Sequence, residues 1–296
     1  MKNMHKAIDA FTLIELSIVL VIIGLIVGGV LVGRDLIKSS EIRAQVSQIE
    51  KYNAAVNTFR GKYGYLPGDI IDPDASNFGF VVRGTSPGQG DGNGIVQSPH
   101  GCFAYTTVGY ALSEGEQSVL WRDLSKAGLI AEGFTTASET VGSAYSGSNL
   151  DLLYPQAKIG NGNYLHVISD GVGSCTVAHD AKNYFALAVI TGVNATALTS
   201  VPGISVAQAY TIDGKVDDGL PQKGNVQAWY DAFPANGVAW VSGGAAGSTG
   251  GLPGAATAAS STTCYDNANT ASNPMAYSMS QSNGGNINCA LAFRFQ

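Results

Sequence analysis

The sequence predicts an α+β fold, with one long N-terminal helix followed by a body of short strands, short helices and loops. Two observations lead to this fold class. An apolar run near the N-terminus continues into a stripe of helical period, and no proline interrupts the chain before Pro67. Beyond Asp69, short apolar segments alternate with turns rich in the chain's 38 glycines. With 45% hydrophobic residues among 296, the chain has the composition of a folded protein.

The apolar run covers residues 11–32, and the eighteen residues 16–33 carry no charge. A helix of 22 residues reaches roughly 33 Å, which is enough to cross a bilayer. A cleaved secretory signal is the competing interpretation, but such a signal has a shorter apolar region and a small-residue cleavage site, whereas a charged amphipathic stretch follows here. Lys2 and Lys6 precede the run and predict a cytoplasmic N-terminus, so the body lies across the membrane.

Two features of the run indicate contact with other helices. Glu15 lies inside it, and a carboxylate in hydrocarbon costs several kcal/mol unless it is paired, which marks Glu15 as functional. The alternative is that Glu15 is merely solvated at headgroup depth. Four glycines form two pairs, Gly24 with Gly28 and Gly29 with Gly33, and the members of each pair are four residues apart. This spacing either permits close helix approach or reflects the ordinary enrichment of glycine in membrane helices.

The helical pattern continues beyond the membrane run. Polar residues such as Gln45 and Glu50 fill the other faces, so this half of the helix has one side for a globular body. We expect a single helix from about Phe11 to about Gly61, ending at the glycine and proline cluster that follows. The apolar positions of the stripe are Ile42, Val46, Ile49, Val56, Phe59 and Tyr63.

Residues 6–10 (KAIDA) followed by residues 11–16 (FTLIEL) resemble the cleavage and methylation signal of type IV prepilins and type II secretion pseudopilins. In that family a short basic leader is removed just before the Phe, the new N-terminus is methylated, and the fifth mature residue is Glu. The resemblance implies cleavage between Ala10 and Phe11 and methylation of Phe11. Ala10 departs from the usual Gly and is the smallest alternative to it.

The resemblance also implies a pilin fold, in which the long helix packs on a small antiparallel β-sheet, here with large loop-rich insertions. The chain then divides into a leader (1–10), a transmembrane and filament-core helix (11–33), an amphipathic helix (34–61) and an exported globular domain (62–296). In family filaments the carboxylate at the position of Glu15 is thought to meet the N-terminal amine of a neighbouring subunit. Residues 52–59 and 62–69 also resemble the helix-exit region of many pseudopilin-like proteins.

The body is expected to contain short elements. A helix is predicted over residues 118–130 and another over 204–212. Residues 242–262, rich in Gly, Ala, Ser and Thr, predict a long surface loop. Strands are predicted over residues 164–169, 184–190 and 291–295.

The four cysteines allow three disulfide pairings, and export from the cytoplasm favours bridges over free thiols. Zinc is the rival interpretation, because His100 and His179 lie near two of the cysteines at spacings that zinc sites can use. The resemblance implies that Cys264 pairs with Cys289, as in the C-terminal disulfide loop of many pilins. Cys102 and Cys175 would then form the second bridge.

Two aspartate-rich loops are candidate cation sites. Asp213, Asp217 and Asp218 offer oxygen ligands, and their loop loosely resembles the calcium site of some major pseudopilins. Residues 91–95 (DGNGI) look like half of an EF-hand loop without its third acidic ligand and closing Glu. Turn formation alone also explains Asp-Gly and Asn-Gly pairs. Calcium is therefore the cofactor that these two loops suggest.

Charge and motifs narrow the function. The net charge is −6, and residues 71–296 hold 8 basic and 16 acidic side chains, which argues against nucleic acid as the main partner. His166, Ser169 and Asp170 lie close in sequence, but proximity within a strand is not a triad, and no nucleophile elbow or P-loop occurs. We therefore expect no enzyme.

Together these features predict a structural subunit of a type IV pilus or a type II secretion pseudopilus. The chain would begin as an inner-membrane precursor and end in a periplasmic or extracellular filament. Its partners would be other pilin subunits, prepilin peptidase, an inner-membrane assembly platform and the membrane. The alternative is a minor pilin that acts as an adhesin, with the loop-rich body as its receptor site. An exported enzyme that uses the helix as an anchor is a third, weaker hypothesis.

Overall fold

The computed structural model describes residues 12–97, 113–140, 142–169, 182–194, 198–228, 264–266, 275–279 and 284–295. It confirms an α+β protein in which a long N-terminal helix precedes an antiparallel β-sheet. One hydrophobic core joins the second half of this helix, the sheet and three shorter helices. The predicted surface loop at 242–262 lies outside the described residues.

Helix α1 spans Leu13–Tyr63, 51 residues, and has a length of about 77 Å. It ends at Gly64, whose left-handed conformation (φ 81°) lets its N–H donate to the Arg60 carbonyl at 2.9 Å. The sequence placed the end near Gly61, two residues early, because Gly61 and Gly64 are both stop signals. The residues of α1 before Gly33 are exposed and have no buried contact with the described part of the chain. The second half lies against the body with its buried face at Ile42, Gln45, Gln48, Ile49, Tyr52, Ala55, Val56 and Phe59.

The buried face of α1 includes two glutamines, and the prediction that Gln45 lies on an outer face was wrong. Its Oε1 accepts from the Ile159 backbone N–H at 3.1 Å. Gln48 accepts from the Lys158 N–H at 2.9 Å and donates to the Gln156 carbonyl at 2.9 Å. The backbone of α1 is already hydrogen-bonded within the helix, so the backbone groups of the loop bond to the glutamine side chains instead. Polar side chains therefore bind the loop at 156–159 to the helix.

The sheet is built around β3 (Asn183–Val193), the longest strand. Four strands pair with β3, all antiparallel: β1 (Tyr145–Ser146), β2 (Asn163–Ser169), β4 (Leu198–Val201) and β10 (Leu291–Arg294). A further strand, β6 (Val226–Gln227), pairs with β10. Leu187 of β3 lies opposite Leu165 of β2 and Leu291 of β10, so apolar side chains cross the sheet in register. Two small two-stranded pairs complete the strands: β5 (Ile204–Ser205) with β9 (Ile287–Cys289), and β7 (Tyr265–Asp266) with β8 (Ala276–Tyr277).

The shorter helices cover the core beside α1. They are α2 (Asp74–Asn77), α3 (Glu116–Lys126) and α4 (Val206–Val216), with a 3₁₀ turn at Gly147–Leu152. Trp121 of α3 is fully buried and meets Tyr52 of α1 edge to face, with ring centroids 5.0 Å apart. The helix predicted over 204–212 begins two residues later and runs four residues further, so Asp213 belongs to a helix rather than to the loop after it.

Candidate functional site

The described N-terminus of α1 is a capping box made by Thr12 and Glu15. The Thr12 backbone N–H and hydroxyl donate to Oε2 of Glu15 at 2.8 and 2.7 Å, and the Glu15 N–H donates to the Thr12 hydroxyl at 3.3 Å. Among the described residues, no group bonds to Oε1 of Glu15. Sequence analysis missed the role of Thr12, although the T-x-x-E spacing is the signature of this cap. Ala10 and Phe11 lie outside the described residues.

The first half of α1 is an apolar surface without a partner in the described chain. Every large apolar side chain from Leu13 to Ile37 is at least 47% exposed. The space around the four glycines of this half is open, since an added Cβ would meet no atom within 4 Å. Within the described ranges α1 is the one helix long and apolar enough to cross a bilayer. Its surface far exceeds the apolar patches that soluble monomers expose, which is consistent with membrane insertion.

The structure brings together the three aspartates of the predicted calcium loop. One carboxylate oxygen from each of Asp213, Asp217 and Asp218 lies within 4.8 Å of the other two. Asp213 is buried, and its oxygens accept from the Tyr277 hydroxyl at 2.7 Å and from the Gly219 N–H at 3.1 Å. Burial raises the pKa of Asp213 to about 6, and the neighbouring aspartate charges act in the same direction.

The chemistry of this loop fits a hard cation. Three carboxylates converge with no ion pair to any described lysine or arginine. Oδ2 of Asp217 accepts backbone N–H groups from Asn225 and Val226, which holds the carboxylate in place and leaves its other oxygen for a ligand. Calcium takes six to eight oxygens, so carbonyl groups or water would supply the remainder. Calcium binding by this loop stays a prediction.

A second acidic cluster forms at Asp69, Asp91 and Glu116, whose carboxylate oxygens also lie within 4.8 Å of one another. The loop at 88–97 wraps around it. Gly92 and Gly94 donate their N–H groups to the two oxygens of Asp69 at 2.7 and 2.8 Å. Glu116, fully buried at the start of α3, accepts three further N–H groups of the same loop, from Gly90, Asp91 and Gln97.

Burial dominates the electrostatics of this cluster. It raises the pKa of Asp69 to about 6 and the pKa of Glu116 well above its ordinary value, while the backbone N–H donors oppose the shift. Sequence analysis had found only the Asp91 loop and noted that acidic ligands were missing. The structure supplies two acids from elsewhere in the chain, the helix-exit segment and α3. Local spacing does not reveal them, because Glu116 is 25 residues from Asp91.

Next to this cluster, Arg83 binds two buried carboxylates. Its guanidinium lies 2.6 Å from Asp123 and 2.7 Å from Glu139, and all three side chains are inaccessible to solvent or nearly so. Its Nε donates to the Ile70 carbonyl at 3.1 Å, and Asp123 also accepts from the Gly68 N–H at 2.8 Å. Burial raises the pKa of Glu139 to about 8 despite the positive neighbour. Sequence reasoning gave no sign of this group.

The C-terminal disulfide joins Cys264 to Cys289, with Cα atoms 5.1 Å apart. This is the pairing that the resemblance implied. It connects the chain just before β7 to the end of β9, next to the central sheet. Cys102, Cys175, His100 and His179 lie outside the described residues, so the second bridge and the zinc alternative stay predictions.

Of His166, Ser169 and Asp170, the structure describes the first two. The His166 ring is fully buried, and its two nitrogens bond to no described group. Ser169 donates its hydroxyl to the Val96 carbonyl at 2.6 Å. Asp170 lies outside the described residues.

No family model matches the chain, and comparisons with curated proteins and with solved structures also found no match. The described residues define an α+β protein in which the first half of α1 is an exposed apolar surface and the second half packs on a folded body.

Proposed function

We propose that this chain is a structural subunit of a type IV pilus or type II secretion pseudopilus. Prepilin peptidase cuts between Ala10 and Phe11, Phe11 is methylated, and an inner-membrane platform assembles the subunits into a filament. The observation that supports this most directly is the continuity of α1. A single helix of 51 residues is apolar on all sides in its first half and packs on a folded body in its second half.

The apolar half of α1 supports two successive environments. Its exposed side chains match hydrocarbon in a membrane precursor. The same side chains, with open space beside Gly24 and Gly28, match close packing of helices in the centre of a filament. The body stays outside both environments because α1 continues without a break from one half to the other.

Glu15 gives the filament its register in this proposal. Its Oε2 is held by Thr12, so the carboxylate has a defined direction, and no described group bonds to Oε1. Removal of the leader would create an amine at Phe11. The pairing of that amine with Glu15 of a neighbouring subunit neutralises a charge that is costly in lipid. Assembly and leader removal are thereby coupled.

The adhesin alternative would be favoured if residues 70–160 or 230–290 formed a separate lobe. The described residues between 66 and 159 instead share one hydrophobic core with α1 and the sheet. Most of residues 230–290 lie outside the described residues. No observation on the described chain favours a receptor-binding lobe over a filament subunit.

The first test is the N-terminal mass of protein purified from the cell surface. The proposal expects a chain that begins at Phe11 and bears one methyl group. A large residue in place of Ala10 should leave the uncut precursor in the membrane fraction. A surface protein that begins at Met1, or at any other residue, contradicts the proposal.

The second test uses Glu15→Val, with Glu50→Val as the matched control on an exposed part of the same helix. Filaments from overexpressing cells are counted by electron microscopy, and membrane protein is measured in parallel. We expect Glu15→Val to abolish filaments at normal membrane abundance, and Glu50→Val to leave them unchanged. Normal filaments from Glu15→Val would refute the role given to this carboxylate.

A further inference from the structure

A groove lies at the base of the body, where α1 leaves its uncharged run. It encloses about 580 Å³ between α1, the start of α4 and the segment leading into β9. We call it the base groove. The α1 residues that line it are Arg34, Ile37, Lys38, Glu41 and Ile42, and the opposite wall includes Gln208, Met279 and Ile287.

The depth of the base groove follows from the helix rise. The uncharged run ends at Gly33, and each further residue adds 1.5 Å. Arg34 therefore lies at the hydrocarbon boundary, Lys38 about 7 Å beyond it and Glu41 about 12 Å beyond it if α1 stands along the bilayer normal. The headgroup region of one leaflet is roughly 7 Å thick, so Arg34 and Lys38 lie at headgroup depth. The Glu41 backbone lies about 5 Å above that region, and helix side chains tilt toward the N-terminus, which brings its carboxylate back toward the headgroups.

The charges on α1 are arranged in a definite order. Moving away from the hydrocarbon, the groove presents two cations and then one anion, at Arg34, Lys38 and Glu41. None of the three forms an ion pair with a described residue. The first N–H groups of α4 next to the groove are already bonded to protein, to the Gly284 and Asn286 carbonyls and to the Ser205 hydroxyl. A ligand would therefore meet side-chain charges rather than a free helix end.

Three other lining residues are large, apolar and exposed. Ile37, Met279 and Ile287 are 60%, 43% and 58% exposed, respectively. Such side chains at the mouth of a groove are stabilised when lipid tails or the glycerol region of a lipid cover them.

We propose that the base groove binds the headgroup of an aminophospholipid of the leaflet that faces the body. The lipid phosphate contacts Arg34 and Lys38, and its primary ammonium contacts Glu41. In such a headgroup the phosphate lies nearer the hydrocarbon and the ammonium lies one two-carbon linker further out. That order matches the two cations and the anion of the groove, and the linker suits the rise of about 4.5 Å between Lys38 and Glu41. The inference rests on membrane insertion of α1, which the proposed function also requires.

Bound lipid would hold the body down on the membrane surface before assembly. The contact would have to break when the subunit leaves the bilayer. The base groove would therefore oppose extraction of the precursor from the membrane.

The test uses the full-length chain in liposomes with a benzophenone amino acid in place of Met279. Photo-cross-linked products are identified by mass spectrometry in three membranes: phosphatidylcholine alone, and phosphatidylcholine mixed with phosphatidylethanolamine or with phosphatidylglycerol. We expect phosphatidylethanolamine adducts to exceed phosphatidylcholine adducts at equal lipid fraction. Arg34→Gln combined with Lys38→Gln should lower lipid adducts on the order of tenfold, since each cation near a lipid phosphate is worth about 1 kcal/mol.

Two controls separate recognition from general charge. Glu41→Gln should remove the preference for phosphatidylethanolamine and keep the adducts themselves. Arg43→Gln combined with Arg60→Gln removes the same charge from exposed positions outside the groove and should change nothing.

Three results would overturn the proposal. Equal adduct yields from all three lipids would show an apolar contact without headgroup recognition. A preference for phosphatidylglycerol would assign the cations to an anionic lipid and leave Glu41 without a role. Adducts to a second copy of the chain, in place of lipid, would make the groove a subunit interface. Carbonate extraction distinguishes these outcomes from loss of membrane insertion, which would refute the proposed function as well.

Discussion

At the scale of single residues, the body depends on polar side chains inside its core. Arg83 connects Asp123 to Glu139, and its backbone N–H donates to Asp72. A buried ion pair contributes little net stability over an apolar equivalent, but removal of one partner leaves the other charge buried and unpaired. Loss of Arg83 would therefore destabilise the fold mainly because Asp123 and Glu139 would be left buried without a cation.

Arg83→Met should lower the free energy of unfolding by about 3–5 kcal/mol, because Asp123 and Glu139 would lose their buried cation. Urea unfolding of the detergent-solubilised chain, followed by tryptophan fluorescence, measures this loss. Arg43→Met on the exposed face of α1 is the control and should change stability by less than about 0.5 kcal/mol. A loss of that small size for Arg83→Met would mean that the two acids are neutral in the native protein.

His166 makes stability depend on pH. Burial lowers its pKa to about 3, from an ordinary value of 6.5. Between these two pH values only the unfolded chain binds a proton at His166. The folded state therefore has its full stability above pH 6.5 and loses stability as the pH falls toward 3. At pH 5 the loss is about 2 kcal/mol.

His166→Leu places an apolar side chain at this buried position of β2 and removes the proton uptake of the unfolded chain at His166. We expect the variant to lose stability less steeply than the parent chain between pH 6.5 and pH 4.5 in urea titrations. The comparison cancels the opposite effect of raised carboxyl pKa values, such as that of Glu139, because both chains contain those groups. Parallel pH profiles for the two chains would contradict a buried neutral His166.

At the scale of elements, α1 shows how one helix serves two surroundings. Its amphipathic half is attached by a polar interface, where Gln45 and Gln48 bind the loop at 156–159, as well as by apolar packing. The Cys264–Cys289 bridge is a covalent attachment and joins β9 to the chain just before β7.

The bridge closes a loop across a sequence separation of 25 residues, and the chain-entropy relation assigns about 3.5 kcal/mol to such a loop. Cys264→Ser combined with Cys289→Ser should lower the free energy of unfolding by roughly 2–5 kcal/mol. Thermal unfolding with and without reductant is the measurement. Reductant should destabilise the parent chain more than the double variant. An equal effect on both would mean that the sensitivity to reductant arises elsewhere in the chain.

The aspartate loop after α4 should respond to calcium. Added calcium is expected to raise the unfolding temperature of the parent chain at neutral pH, because it neutralises the converging carboxylates Asp213, Asp217 and Asp218. Asp217→Asn should remove most of this rise. Asp35→Asn, which changes the same charge on an exposed part of α1, should keep it. If calcium raised the unfolding temperature of Asp217→Asn as much as that of the parent chain, calcium would bind outside this loop.

At the scale of the whole molecule, the described residues form one core with one helix emerging from it. Sequence patterns predicted this architecture well, because helical period and strand-like apolar runs are local signals. They located β2, β3 and β10 to within a few residues, and they located α1 apart from its last turn. The apolar pattern of each of these elements can be read from consecutive residues.

The parts that sequence did not predict depend on contacts between distant segments. Arg83 meets partners 40 and 56 residues away, and the Asp69 cluster combines three separate segments. No periodicity marks such pairs. Gln45 is a third example, since a helix pattern assigns a glutamine to the outside unless a loop elsewhere needs its side chain. The aspartates around Asp213 were predictable because they are neighbours in sequence.

The unbroken path of α1 has a mechanical consequence. No break separates the exposed apolar half of α1 from the half that packs on the body, so the helix is one continuous rod of about 77 Å. A pull or a torque applied at its apolar end is transmitted to the body, which must rise and turn with it. A partner that binds only the apolar half would therefore set the height and angle of the body.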